Sequence, residues 1–255
     1  MPVASLYRYP VKGLSPERLD EAKLEPCSFF PGDRLYALEN GRSSFDPAAP
    51  AYQPKTRFLM LMKNARLARV TSRFDDARHV LSLSQGGEPI AEGDVRTEEG
   101  RARIERCLAD ICAGELRGEV RLLSAPDGFR FTDSIRAGFV SLLNLASVRD
   151  LETRLGQKVD PLRFRANIHI EGWDAWAEEN VVGRILSIGQ ARVKALKTIE
   201  RCPATHVDPE TGERDLDIVE ALRSAFGRQT CGLYVSVLEG GSVRPGDAVD
   251  FADLI

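Results

Sequence analysis

Apolar and polar residues alternate with a period of two along several stretches of this chain, the pattern of strands with one buried face. Residues 3–11 form the first such run, which stops at Lys12-Gly13. Further strands are predicted at 67–74, 80–84, 120–124, 167–170, 192–199 and 233–238. After the last of these, Gly240-Gly241 reads as a hairpin turn and Pro245-Gly246-Asp247 as a second break. The period lengthens to that of a helix in three places. Thr97 can cap a start rich in Glu98 and Glu99, after which Ile104, Cys107, Leu108 and Ile111 share one face and Gly114 closes it. Ser147 and Asp150 make a capping-box pattern ahead of Leu151 and Leu155, with Gly156 as the stop. Asp215 precedes Ile218, Val219, Leu222 and Phe226, and Gly227 ends that helix.

Two stretches, 40–54 and 124–134, show little periodicity. The second sets a boundary near residue 125, giving an N-terminal domain over 1–125 and a second over 126–255. The expected fold class is mainly β or α+β, most simply barrels with short flanking helices. No internal repeat or low-complexity tail interrupts this organisation.

Composition narrows the function classes. A chain of 255 residues, 43% hydrophobic and 29% charged, buries a sizeable core as an ordinary globular protein. No apolar run approaches the roughly 20 residues that cross a bilayer, and the first residues lack a secretory pattern, so no membrane partner and a cytoplasmic location are expected. The net charge of −3 and the lack of a basic stripe argue against nucleic acid, while leaving room for a few arginines to converge on a small anion. The cysteines Cys27, Cys107, Cys112, Cys202 and Cys231 are odd in number and widely spaced. That disfavours a disulfide framework, a zinc ribbon or an iron–sulfur cluster. Cys107 and Cys112 read as small core residues of the first helix. Phosphate-loop, dinucleotide, zinc-helix and nucleophile-elbow motifs are missing.

Cys202 leaves the strand run 192–199 between Arg201 and Pro203. An adjacent guanidinium favours the thiolate, which attacks, carries sulfur or binds a soft metal. Taken alone, a cysteine at a strand end is more often a small apolar residue. His206, four positions on, adds the alternative of a Cys/His hydrolase or transferase.

The surroundings of Cys202 add a resemblance. The runs Ser141-Leu142-Leu143-Asn144, Asp160-Pro161-Leu162-Arg163-Phe164-Arg165-Ala166-Asn167-Ile168, Glu178-Glu179, Gly183-Arg184, Arg201-Cys202-Pro203-Ala204-Thr205 and Val207-Asp208-Pro209-Glu210-Thr211-Gly212 follow in order. Gly241-Ser242-Val243-Arg244-Pro245-Gly246-Asp247-Ala248-Val249 closes the set. Together they resemble the MOSC domain, named for the C-terminal part of molybdenum cofactor sulfurases. Tyr9-Pro10-Val11-Lys12-Gly13 and Gly32-Asp33-Arg34 are similar to the β-barrel segment that often precedes that domain.

The resemblance implies a MOSC-type β-barrel with short helices behind an N-terminal β-barrel-like domain. It implies a molybdopterin-type molybdenum cofactor between the two, as in amidoxime-reducing relatives, with Cys202 as metal ligand and catalytic residue. By the same analogy Lys12, Arg34, Ser141, Arg165, Asn167 and Arg201 hold the cofactor. Lys12 would act as a point charge, Arg34 and Arg165 as a clamp on the phosphate, and Asn167 on the pterin edge. Arg201 would touch the cofactor or tune the thiolate. Asp133 matches an acidic residue near the metal loosely, and its local sequence reads better as a turn aspartate. The implied activity is molybdenum-dependent reduction of a small N-hydroxylated substrate, with electrons from a separate protein. The alternative is a sulfur carrier, with a persulfide on Cys202 supplied by a cysteine desulfurase, since this chain has no room for a pyridoxal-phosphate domain. Three departures leave the substrate open: Ala166 in place of proline, Asn180-Val181 where tryptophan is frequent, and Lys12-Gly13 in place of Lys-Ser.

Overall fold

Short strands, several of only three residues, carry most of the backbone pairing. The computed structural model describes residues 1–41, 45–133 and 139–251. The chain opens with β1 (Val3–Arg8), β2 (Glu17–Leu19), β3 (Ala22–Leu24) and β4 (Tyr36–Asn40). Two 3-10 turns, Lys55–Arg57 and Ala65–Arg69, precede β5 (Val70–Asp75), β6 (Val80–Gln85), β7 (Glu88–Asp94) and helix α1 (Glu98–Ile111). Next come β8 (Val120–Ser124), β9 (Phe139–Asn144), α2 (Leu145–Leu155), β10 (Ile168–Ile170) and the single turn α3 (Glu178–Val181). The last elements are β11 (Ile185–Ile188), β12 (Ala191–Glu200), α4 (Ile218–Phe226), β13 (Thr230–Glu239), β14 (Gly241–Val243) and β15 (Val249–Phe251).

Eight strands make one sheet in the order β15-β11-β12-β13-β9-β10-β1-β2, so strands from the start of the chain pair with strands near its end. Smaller sheets are β5-β6-β7, β4-β8 and β3-β14. The protein is thus mainly β with short helices, as the residue pattern implies. Closed barrels, however, are not formed among the described residues. The large sheet comes nearest: the Val3 N–H donates to the Asp247 carbonyl and the Gly246 N–H to the Val3 carbonyl, both at 2.8 Å, and Pro2 faces Ala248 in an isolated bridge. The contact stays an isolated bridge, and the two end strands of the sheet, β15 and β2, are not paired with each other.

Strand alternation then decides which side chains reach a site. Val140 and Leu142 of β9, Ile168 and Ile170 of β10, and Leu233, Val235 and Val237 of β13 face one core together with Val3 and Leu6. Each fully buried aliphatic there contributes roughly 1.5–3 kcal/mol relative to exposure. The opposite faces of β9 and β13 present Ser141 and Tyr234 to a cavity. On β12 the register slips between Ala195, opposite Val235, and Lys197, opposite Tyr234. This bulge re-aims Lys197 from the core side to the cavity side.

Several local expectations need correction. Gly240-Gly241 is no hairpin turn: β14 leaves the large sheet there and pairs with β3. Helix α2 is capped by Asn144, whose side chain accepts the Ala146 N–H, while Ser147 is buried and donates to Glu178. Helix α4 is capped by Asp217 rather than Asp215. Residues 65–69 form a 3-10 turn, so that strand starts at Val70.

Candidate active site

One cavity of about 460 Å³ is walled by residues from both ends of the chain, and Lys12, Arg34, Ser141, Arg165, Asn167, Arg201 and Cys202 all line it. Two arginines shape one part of it. Arg34 and Arg165 both adopt left-handed backbone conformations, with φ of 48° and 53°. Such positions cost about 1–3 kcal/mol each and persist only where neighbours hold them. Here the Arg34 N–H donates to the Tyr9 carbonyl at 2.8 Å, and the Arg165 N–H to the Leu162 carbonyl at 3.1 Å, closing the 3-10 turn Pro161–Phe164. Both guanidiniums lie on the fully buried Tyr9 ring, 4.5 and 4.3 Å from its centroid. Arg34 pairs with Asp33 and donates to the Arg165 carbonyl at 3.1 Å. Arg165 donates to the Leu14 carbonyl at 2.8 Å, and among the described residues no carboxylate lies within ion-pair distance of it. Burial, and then the charge of Arg34, pushes Arg165 down to about 10. A buried cation beside a second cation, without a full complement of counter-charge, is an environment that asks for an anion.

Lys12 is 8% exposed, donates to the Phe131 carbonyl at 3.1 Å and ion-pairs with Asp133. Asp133 is therefore more than a turn residue, because its carboxylate enters the cavity. Burial opposes its ionisation, but Lys12, with Lys55 and Arg34 beyond, outweighs burial and holds it below the ordinary aspartate value. Ser141 and Asn167 satisfy each other. The Ser141 hydroxyl donates to Asn167 Oδ1 at 2.7 Å, and Asn167 Nδ2 donates to the Tyr7 carbonyl at 3.2 Å. One amide N–H of Asn167 is left to offer a ligand.

The thiol lies where β12 ends. Cys202 is half-buried in extended backbone, with φ of −124°, and caps the 3-10 turn Pro203–His206. Its carbonyl accepts both the N–H and the hydroxyl of Thr205 at 3.0 Å. Arg201 is a brace before it is a ligand. Its Nε donates to the Cys231 carbonyl at 2.7 Å and its Nη1 to the Phe164 carbonyl at 2.8 Å, and burial lowers its pKa. Arg163, 4% exposed, ties the same two segments from the other side. It donates to the His206 carbonyl at 3.1 Å and pairs with Asp208 and Asp215 at 3.0 and 2.7 Å. His206 turns its Nε2 to Asp217 at 3.2 Å, at the start of α4, which gives a Cys/His pair no support. Cys112 and Cys231 are pushed up to about 12 by burial, and Cys202 alone of the five cysteines lines the cavity.

Residues 136–250 match the sequence model of the MOSC domain, and residues 1–119 that of the MOSC N-terminal beta barrel domain. The chain belongs to the MOSC domain family. "Mitochondrial amidoxime reducing component 2" of Rattus norvegicus is 36% identical over 124 residues, covering 43% of this MOSC chain and 36% of that protein. "Molybdenum cofactor sulfurase" of Caenorhabditis briggsae is 26% identical over 270 residues, covering 98% of the chain and 36% of the relative. The chain thus spans little more than a third of the length of these curated relatives. Among solved structures, the YUAD protein of Bacillus subtilis aligns over 100% of this chain and 96% of its own at 11% identity and a TM-score of 0.46. The name of the second of these relatives links the MOSC family to the molybdenum cofactor.

Within this MOSC chain, the departure at Gly13 has a local cause. Its φ is +88°, and a Cβ there would come within 2.9 Å of the Leu59 carbonyl oxygen. Lys55 escaped the sequence reading. It lines the cavity that Cys202 also lines. Burial would depress Lys55, yet the charges of Cys202 and Asp133 raise it. Tyr9 and Arg163 stand in the sequence only as parts of longer motifs, and their roles depend on contacts that no spacing reveals. Among the described residues no helix is long and apolar enough to cross a membrane.

Proposed function

We propose that this MOSC protein binds a molybdopterin-type molybdenum cofactor in the cavity and is a molybdenum-dependent oxidoreductase of small N-hydroxylated substrates, working in the cytoplasm. The observation that carries the reading is a single cavity that opens both to the Arg34–Arg165 pair and to the Cys202 thiol. The donor set fits such a group: a buried arginine without a carboxylate partner for the phosphate, and a soft sulfur for the metal. A volume near 460 Å³ is that of a small-molecule site.

When bound, the cofactor would supply a two-electron centre for removing oxygen from the substrate. The chain's own residues do the rest. Arg34 and Arg165 grip the phosphate, Lys12 adds a point charge set by Asp133, and Asn167 offers its remaining N–H to the pterin edge. Cys202 Sγ holds the metal, while Arg201 and Arg163 fix the turn that carries the sulfur. Reduction of an N-hydroxyl group to the amine and water takes two electrons and two protons, and the electrons come from a separate protein. Freshly purified chain from a cofactor-competent host should contain about one molybdenum and one pterin per chain. Cys202→Ala should lose the metal and keep the fold, as judged by circular dichroism. Folded protein free of molybdenum from such a host would overturn the reading.

A second reading, sulfur carriage by a Cys202 persulfide, draws support from the relative named "Molybdenum cofactor sulfurase", which matches 98% of the chain. Labelled sulfur passed from a cysteine desulfurase to Cys202, detected by mass spectrometry, would favour it. Failure of that transfer would set it aside.

A further inference from the structure

The charges on the cavity wall are unevenly matched. Asp33 pairs with Arg34, Asp133 with Lys12, and Asp208 and Asp215 with Arg163. Arg165 belongs to the phosphate grip, and Arg201 commits two donors to backbone carbonyls. Two cations remain, Lys55 and Lys197, and among the described residues neither has a carboxylate within ion-pair distance. Both line the cavity that Cys202 also lines, as does Glu200, which is ion-paired with neither. Lys55 is half-buried on that wall. Lys197 is brought to the cavity by the bulge in β12, and its ammonium lies 5.7 Å from the centroid of the Tyr234 ring across from it. Asp133, already paired with Lys12, is shared with Lys55 only at longer range, so neither lysine has an ion-pair partner of its own among the described residues.

We propose that the Cys202 end of the cavity is an anion subsite that selects substrates bearing a carboxylate or another negatively charged oxygen group, with Lys55 and Lys197 as specificity-determining residues. This rests on the reading that Cys202 marks the reacting end, and it narrows the substrate class within it. The two lysines attract such a group into the cavity that Cys202 lines, whereas a neutral isostere gains nothing from them.

The test uses the full chain, free of cofactor, alkylated in parallel with anionic iodoacetate and neutral iodoacetamide. Mass spectrometry reads the rate at Cys202 and at the exposed Cys27, which serves as internal reference. Both reagents attack the thiolate, so a change in thiolate fraction cancels in the ratio of their rates. The iodoacetate-to-iodoacetamide ratio at Cys202 should exceed that at Cys27 roughly three- to tenfold at low salt and shrink as salt rises. In the double variant Lys55→Gln/Lys197→Gln it should fall by at least half toward the Cys27 value, the remainder being due to Arg34 and Arg165, while Lys23→Gln, remote on β3, leaves it unchanged. Equal ratios at the two cysteines of the unmodified chain, or a double variant that keeps the preference in full, would overturn the subsite. Molybdenum content, measured separately, keeps the two ideas apart. Metal without anion preference overturns the subsite alone, and anion preference without metal overturns the cofactor reading alone.

Discussion

Tyr9 stacks against two guanidiniums, and its hydroxyl is buried without a partner among the described residues. The ring and the hydroxyl therefore do opposite things. The ring steadies two like charges side by side, worth roughly 0.5–2 kcal/mol for each cation on its surface. The lone hydroxyl costs about 1–3 kcal/mol. Tyr9→Phe should thus raise urea stability by about 1 kcal/mol or more and leave pterin content unchanged, whereas Tyr9→Leu should lower both. His169 poses a related question. It is 2% exposed on β10, its Nε2 has no partner among the described residues, and burial pushes it down to about 4. The unfolded chain takes up this proton near pH 6.5, and the folded chain only near 4. Stability from this site is therefore complete above about pH 6.5 and is lost as pH falls toward 4, by about 3 kcal/mol in all. His169→Phe should flatten urea stability across that window. An unchanged pH profile would count against a neutral buried imidazole.

At the level of elements, the two 3-10 turns Pro161–Phe164 and Pro203–His206 are one unit, because Arg163 and Arg201 cross between them. Arg163→Gln removes a buried guanidinium whose carboxylate partners are partly solvated, which should cost about 1–3 kcal/mol. It should also loosen the turn of Cys202, read as a changed alkylation rate at that cysteine and not at Cys27. Elements long enough to show their period were legible in the sequence: β1, β6, β13 and the helices stopped by Gly156 and Gly227. β2, β3, β14 and β15 have three residues each, too few for alternation to register. β4 is buried on both faces, Glu39 and Asn40 included, so it carries no polar side to mark it. The candidate site was legible through its ordered motifs. Lys55 was not, since it follows an aperiodic stretch, and Lys197 reaches the cavity only through a bulge that slips the register.

At the scale of the whole molecule, strands from both sides of the aperiodic stretch 124–134 share one sheet and one core. β1 lies between β10 and β2 in the large sheet. Val3, Leu6, Leu24 and Phe30 complete the same core as Val140, Leu142, Ile168 and Leu233. Removing those four side chains forfeits roughly 6–12 kcal/mol at 1.5–3 kcal/mol apiece, comparable with the 5–15 kcal/mol that keeps a typical domain folded. It also leaves β10 as a raw edge whose backbone groups lack a neighbour. The cavity would lose Lys12, Arg34 and Lys55 together. A fragment of residues 126–255 is therefore expected to bind a hydrophobic dye, to unfold without a cooperative transition and to hold no pterin. The full chain should unfold in one transition, shifted upward when cofactor is bound because both ends of the chain contact it. A fragment that melts cooperatively would show that the C-terminal strands close their own core, and that the N-terminal strands contribute to the site rather than to the fold.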